Sequence, residues 1–341
     1  MGSPHPLVIA HRGASGYRPE HTEAAYRLAF ELGADAVEPD LVATRDGILV
    51  LRHENEISGT TDVAEHPEFA ERRTTKEIDG AEVTGWFTED FTFAELRKLG
   101  ARERLPRLRP GNSAFDGQPI LSFAELLRML DERERAVRLV AEIKHATHFA
   151  SIGLPLDELV ARDLAAAGWA REPGLIVESF ELTVLGQLRQ RGVEASWVFL
   201  AEAEGAPADQ VAALGSRART YAEYLTDEGL AGLAASAHGP DAEGFNTAGI
   251  DINGISIDVA ILERDPGVVQ RAHEAGLTAF CWTLRAENRF LQERYRSSDD
   301  PAEYGDHLGQ FTAILGTGVD GVFADQPELA IAARAAHRGQ G

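Results

Sequence analysis

The chain has 341 residues, 44% hydrophobic and 26% charged, which suits one large folded core without low-complexity stretches. Its 33 Lys plus Arg against 55 Asp plus Glu give a net charge of −22, which argues against nucleic acid or an anionic membrane as a broad-surface partner. The same field opposes any anionic small molecule, so a phosphate pocket in this chain must carry its own positive charge.

No stretch approaches the length of a membrane-spanning helix, so stable membrane insertion is not expected. The single cysteine, Cys281, excludes an internal disulfide and reads as a small core residue. Met1–His11 enters a strand at once, with no basic region followed by an apolar one, which as written suits a cytoplasmic protein. A secreted or periplasmic location stays open if a signal peptide was removed ahead of Met1-Gly2-Ser3.

In chain order, the apolar run Leu7–His11 predicts a strand, and His21-Thr22-Glu23 opens an Ala/Leu-rich helix that Gly33 ends. Ala36–Leu41 and Ile48–His53 follow as strands around the turn signal Arg45-Asp46-Gly47 and could occupy consecutive barrel positions. Residues 56–118 break the rhythm with charged segments, scattered Gly and Pro, and a helix at Thr92–Leu99; they read as an insertion. Regular alternation then resumes with helix Ser122–Glu134, strand Leu139–Lys144, helix Leu156–Ala167, strand Leu175–Phe180, helix Glu181–Arg191 and strand Ser196–Leu200. Two helical patches between Pro207 and Ala237 precede strand Gly254–Asp258, helix Ala260–Ala275 and strand Leu277–Leu284. A helix near Pro301–Leu315, strand Gly321–Asp325 and helix Pro327–Ala336 complete the chain. Continuous apolar strands alternating with helices predict a (β/α)8 TIM barrel, one domain over residues 1–341 with 56–118 inserted over the barrel mouth.

Strand ends are where such barrels keep their chemistry. Glu38 and Asp40 share a strand face at spacing two, as do Glu142 and Lys144. Three carboxylates converging there, Glu38, Asp40 and Glu142, would make an oxygen-rich site for Ca2+ or Mg2+. The blander alternative pairs them with the abundant arginines. His11 and His53, also at strand ends, suit paired acid and base work, although a lone strand-end histidine is more often structural. Arg12 offers phosphate a bidentate fork and Lys144 a point charge. Gly13 either lets backbone approach a ligand or simply makes a turn.

Trp282 reads as either pocket lining or core. Asp258 and Asp325 read as structural, pairing with arginines or capping helices. His145 and His148 have metal-like spacing but fall in a loop and read as solvated. Trp86 and Phe87 either roof the pocket or pack the insertion down.

The ordered series His11-Arg12-Gly13-Ala14-Ser15-Gly16, Pro19-Glu20-His21-Thr22, Glu38-Pro39-Asp40-Leu41 and His53 closely resembles the glycerophosphodiester phosphodiesterases. Glu142-Ile143-Lys144, Ser179-Phe180, Trp282-Thr283 and Gly318-Val319-Asp320-Gly321-Val322 continue the resemblance to the last strand. It implies a TIM barrel with a divalent cation on Glu38, Asp40 and Glu142, catalysis by His11 and His53, phosphate binding by Arg12 and Lys144, and Trp282 lining a pocket for a glycerophosphodiester. Glu54 after His53 departs from the Asp of many members and puts contacts around that histidine in question. The alternatives are a lysophospholipid-directed, phospholipase D-like phosphodiesterase and a non-catalytic glycerophosphodiester-binding barrel. A zinc amidohydrolase fits less well, since no His-x-His ends the first strand.

Overall fold

A computed structural model describes residues 5–234 and 249–339. Eight parallel strands close into a barrel: Leu7–His11, then Ala36–Glu38 continued by Asp40–Ala43, then Arg138–Ile143, Ile176–Ser179, Ser196–Ala201, Gly254–Asp258, Thr278–Leu284 and Gly321–Ala324. Closure runs through Leu7–His11, which pairs with both Gly321–Ala324 and Ala36–Glu38. Pro39 interrupts the second strand because it has no N–H to give the ladder. Arg138–Ile143 pairs with both of its halves.

The nine strand candidates reduce to eight for a simple reason. Leu49–Leu51 runs antiparallel to Asp40–Ala43 and is not a barrel position. Gly47, at φ 71°, turns the chain with its N–H on the Thr44 carbonyl. His53 therefore reaches the mouth by folding back over the end of the second strand, rather than by ending a barrel strand itself.

Other boundaries also shift. The helix expected over Ala260–Ala275 is two, Val259–Arg264 and Val268–Glu274, separated at Asp265-Pro266 where proline stops the first. Helix Thr92–Leu99 shortens to Phe93–Leu96, and the helix near Pro301–Leu315 begins only at His307. Between Pro207 and Ala234 lie three helices, Ala208–Leu214, Tyr221–Tyr224 and Asp227–Ala234; the remainder of that expectation, 235–237, falls outside the described residues.

Side chains alternate along a strand, and this period builds the site. Ile9, Ala36, Val140, Ile176, Val198, Phe280 and Phe323 fill the barrel interior as an apolar layer separate from the shell between strands and helices. Two residues further along six of those strands stand His11, Glu38, Glu142, Glu178, Trp282 and Asp325. The apolar layer is thus the floor of a chemically active layer at the C-terminal mouth.

Residues 56–118 contain a hairpin, Thr74–Ile78 with Ala81–Gly85, and a small pairing of Gly100–Ala101 with Gln118–Pro119. Trp86 and Phe87 are buried in this region, the Trp86 indole N–H donating to the Phe69 carbonyl at 2.7 Å, so they pack it down rather than roof the pocket. His145 and His148 are paired, not solvated. His145 Nδ1 lies 2.5 Å from Asp79 Oδ2 and His148 Nε2 3.0 Å from Glu89 Oε1, fastening the segment after the third barrel strand to residues 56–118.

Candidate active site

Three carboxylates meet at the mouth. Oxygens of Glu38, Asp40 and Glu142 lie within 4.8 Å of one another, and all three residues are buried. Each is held by one oxygen. Glu38 Oε2 accepts the Arg12 backbone N–H at 2.9 Å, Asp40 Oδ2 takes His21 Nε2 at 2.8 Å, and Glu142 Oε1 takes Lys144 Nζ at 2.7 Å. Glu38 Oε1 and Asp40 Oδ1 are buried with no hydrogen-bond partner among the described residues. Like charges this close resist joint ionisation. Burial, then Asp40 and Glu142, push Glu38 well above the usual carboxylate range. Burial, followed by Asp40, raises Glu142 to about 8 against the pull of Lys144. At Asp40 burial acts in the same direction, but His53, Arg12 and Lys144 override it and keep the group well below that range. An all-oxygen donor set with orphaned, preoriented oxygens fits a hard divalent cation. These residues satisfy that requirement without help from soft ligands.

The two sequence-identified histidines face this cluster. His11 Nδ1 is 2.7 Å from Asp325 Oδ1, which leaves Nε2 for the cavity. Asp325 also takes Arg109 Nη2 at 2.7 Å and Arg285 Nε at 2.8 Å. It pairs with arginines as expected, yet it also orients His11, so the purely structural reading is corrected. Asp258 does cap a helix, accepting the Ala260 N–H. His53 Nδ1 lies 2.6 Å from Glu54 Oε1, and Arg104 Nη2 binds both Glu54 and Glu20. Glu54 therefore fills the place its departure had put in question. Burial, then Arg12, lower His11 to about 4 against the opposing pull of Asp325. Burial, Arg12 and Lys144 lower His53 to about 3. Both shifts favour the neutral imidazole.

Arg12 and Lys144 are already engaged. The Arg12 guanidinium contacts Glu20 at 3.1 Å and Asp40 at 3.3 Å, and Lys144 Nζ sits 3.2 Å from His53 Nε2. Arg12 stands in left-handed backbone, φ 59°, followed by Gly13 at 82°. A Cβ on Gly13 would come 2.7 Å from the Ala25 carbonyl carbon, so this glycine serves a tight turn against the first helix rather than ligand approach. Thr22 caps that helix through the Ala25 N–H.

His11, Arg12, Glu38, His53, Glu142, Lys144 and Trp282 all line one cavity of about 250 Å³. Glu178, Glu202, Phe180 and Arg285 line it too, and sequence reading missed them as site residues. Glu178 was accessible to the same rule that found Glu142, since it lies two residues beyond Ile176 on a recognised strand. Arg104 and Arg109 come from residues 56–118, and no local pattern marks them. Cys281 is buried, and burial pushes its thiol up, so it is not a nucleophile.

A closed barrel with a carboxylate cluster, two oriented imidazoles and local cations at its mouth defines a barrel hydrolase. Residues 11–329 match the Glycerophosphoryl diester phosphodiesterase family, and the chain belongs to it. It is 31% identical over 335 residues to glycerophosphodiester phosphodiesterase GDPD6 of Arabidopsis thaliana, covering 94% of this chain and 83% of that one. Among solved structures, an Oleispira antarctica phosphodiesterase in complex with the product sn-glycerol-3-phosphate superposes with a TM-score of 0.60 at 20% identity, covering 96% of each chain. The glycerophosphodiester phosphodiesterase of Agrobacterium tumefaciens gives a TM-score of 0.58 at 18% identity, covering 96% of this chain and 100% of that one. Both likenesses support the barrel fold. No helix among the described residues is long and apolar enough to cross a membrane.

Proposed function

We propose that the chain hydrolyses glycerophosphodiesters to sn-glycerol 3-phosphate and an alcohol, with Glu38, Asp40 and Glu142 holding a divalent cation, Ca2+ or Mg2+. The observation that carries this is the carboxylate trio with one oxygen of each tied back, set between two histidines whose Nδ1 atoms are each fixed by a carboxylate. The family match and the product named for the Oleispira antarctica relative support the substrate class.

A bound divalent cation supplies positive charge to the phosphate oxygens. Arg12 and Lys144 add theirs, the local charge that a surface of −22 otherwise denies an anion. One imidazole takes the proton of the attacking hydroxyl, from water or the neighbouring glycerol. The other gives a proton to the departing alcohol oxygen. Asp325 and Glu54 hold the two rings so that Nε2 of each faces the phosphate. Residues 56–118 act as an insertion over the mouth, a reading supported by Arg104 on Glu54 and Arg109 on Asp325. His11→Ala and His53→Ala should each abolish turnover while metal binding, followed by calorimetry, persists. Near-full turnover in either variant would remove that histidine from the mechanism.

A further inference from the structure

The two imidazoles are each steered by a carboxylate, but the carboxylates are not equally secure. Asp325 is buried and takes two arginines, Arg109 and Arg285. The Glu54 side chain is 38% exposed, and the His53 ring it meets is 30% exposed. Nor does a barrel strand carry this pair, since Leu49–Leu51 runs antiparallel to the strand it folds back on. A part-exposed ion pair contributes little unless its geometry is bidentate or a network holds it. A glutamate must also give up rotamer freedom to stay at one ring nitrogen. Among the described residues, only His53 and Arg104 hydrogen-bond the Glu54 side chain.

Arg104 grips both oxygens of Glu54. Nη1 donates to Oε1 at 3.0 Å and Nη2 to Oε2 at 2.6 Å, the two-pronged geometry that fixes a carboxylate. The guanidinium is held in turn by buried Glu20, whose two oxygens accept Nε and Nη2, each at 2.7 Å. The backbone on either side is tied down as well. The Arg102 N–H donates to the Thr60 carbonyl and the Glu103 N–H to Asp116. The Glu103 carboxylate takes the Leu105 N–H and the Asn112 side chain. Arg104 is not among the residues lining the catalytic cavity. It borders a recess of about 20 Å³ with Glu20, Arg109 and Asp325, so its reach to the chemistry runs through Glu54. Arg12, the other partner of Glu20, is anchored independently by Glu38 on its backbone N–H and by Asp40 at 3.3 Å.

Resting on the phosphodiesterase reading above, we propose that Arg104 is a positioning residue for catalysis: it holds Glu54 on Nδ1 of His53 and so keeps Nε2 of that ring turned to the phosphate. Residues 56–118 then complete the working site, because the barrel alone leaves the His53 ring without a fixed partner.

The test is a double-mutant cycle on glycerol 3-phosphate release from glycerophosphocholine with metal in excess. It uses wild type, Arg104→Met, Glu54→Gln and the double variant, each verified by a cooperative melt. Should Arg104→Met fail to fold, Arg104→Lys replaces it, since a single ammonium keeps the charge but cannot bracket both oxygens. In the wild-type background the Arg104 substitution should lower kcat by about tenfold or more with KM within about threefold. In the Glu54→Gln background the same substitution should change kcat by no more than about twofold, because the carboxylate it acts through is already gone. A kcat within about twofold of wild type overturns the proposal. So do losses that multiply in the double variant, as a general structural role would give, and a loss carried by KM, which would place the action of Arg104 on binding through Glu20 and Arg12. No release by the metal-loaded wild type would instead overturn the phosphodiesterase reading.

Discussion

Replacing Asp325 by Asn removes one negative charge from a buried set while nearly preserving shape. Asp325 is 2% exposed and serves three partners: His11 Nδ1, Arg109 and Arg285. A hydrogen bond to a charged group contributes roughly 1.5–3 kcal/mol. At about 1.4 kcal/mol per tenfold, loss of the His11 bond should lower kcat by roughly 10- to 150-fold. Stability should fall as well, by about 3 kcal/mol, the low end for a broken buried pair. The low end applies because Arg109 keeps Glu287 at 2.6 Å. Metal affinity should be nearly unchanged, since Asp325 is not among the clustered carboxylates. The assay is steady-state release of glycerol 3-phosphate with saturating metal, alongside a circular-dichroism melt. A folded variant with kcat within about twofold of wild type would refute the claim that Asp325 sets the working orientation of His11.

Asp40→Asn should abolish metal-induced thermal stabilisation, which in the wild type reaches about 2.7 kcal/mol at a hundredfold excess over Kd; an undiminished shift would place the ion elsewhere. Burial lifts Glu181 from 4.5 to about 7, a folded-state pKa above the unfolded one, so its contribution is full below pH 4.5 and is lost as pH rises through 7. Glu181→Gln should therefore gain on wild type by up to about 3 kcal/mol between those limits in urea titrations, and a pH-independent difference would contradict the assignment. Gly13→Ala should cost about 2–3 kcal/mol, from φ 82° and the 2.7 Å approach to Ala25; an unchanged denaturation midpoint would show that the turn relaxes freely.

Much of the site was legible because a barrel converts strand periodicity into geometry. Ile9 to His11, Ala36 to Glu38 and Val140 to Glu142 each step from floor to site by two residues, and apolar runs ending in charge expose that step. Glu178 obeys the same rule but was masked by an ordinary-looking strand. His53 was found although its strand is antiparallel, because its turn signal is local. The supporting residues were not legible. Arg109 is 216 residues from Asp325, and Arg104 is 84 from Glu20 and 50 from Glu54, and such pairings exist only after the chain folds. Ala260–Ala275 reads as one helix from its apolar pattern, yet Pro266 inside it ends the first of two.

The most direct test of the account is glycerol 3-phosphate release from glycerophosphocholine by enzyme stripped with EDTA and then given back Ca2+ or Mg2+. The account predicts no release in EDTA, recovery with one or both ions, and no recovery when Glu38, Asp40 or Glu142 is replaced by its amide. Full activity in EDTA, or none with any divalent cation, would contradict it.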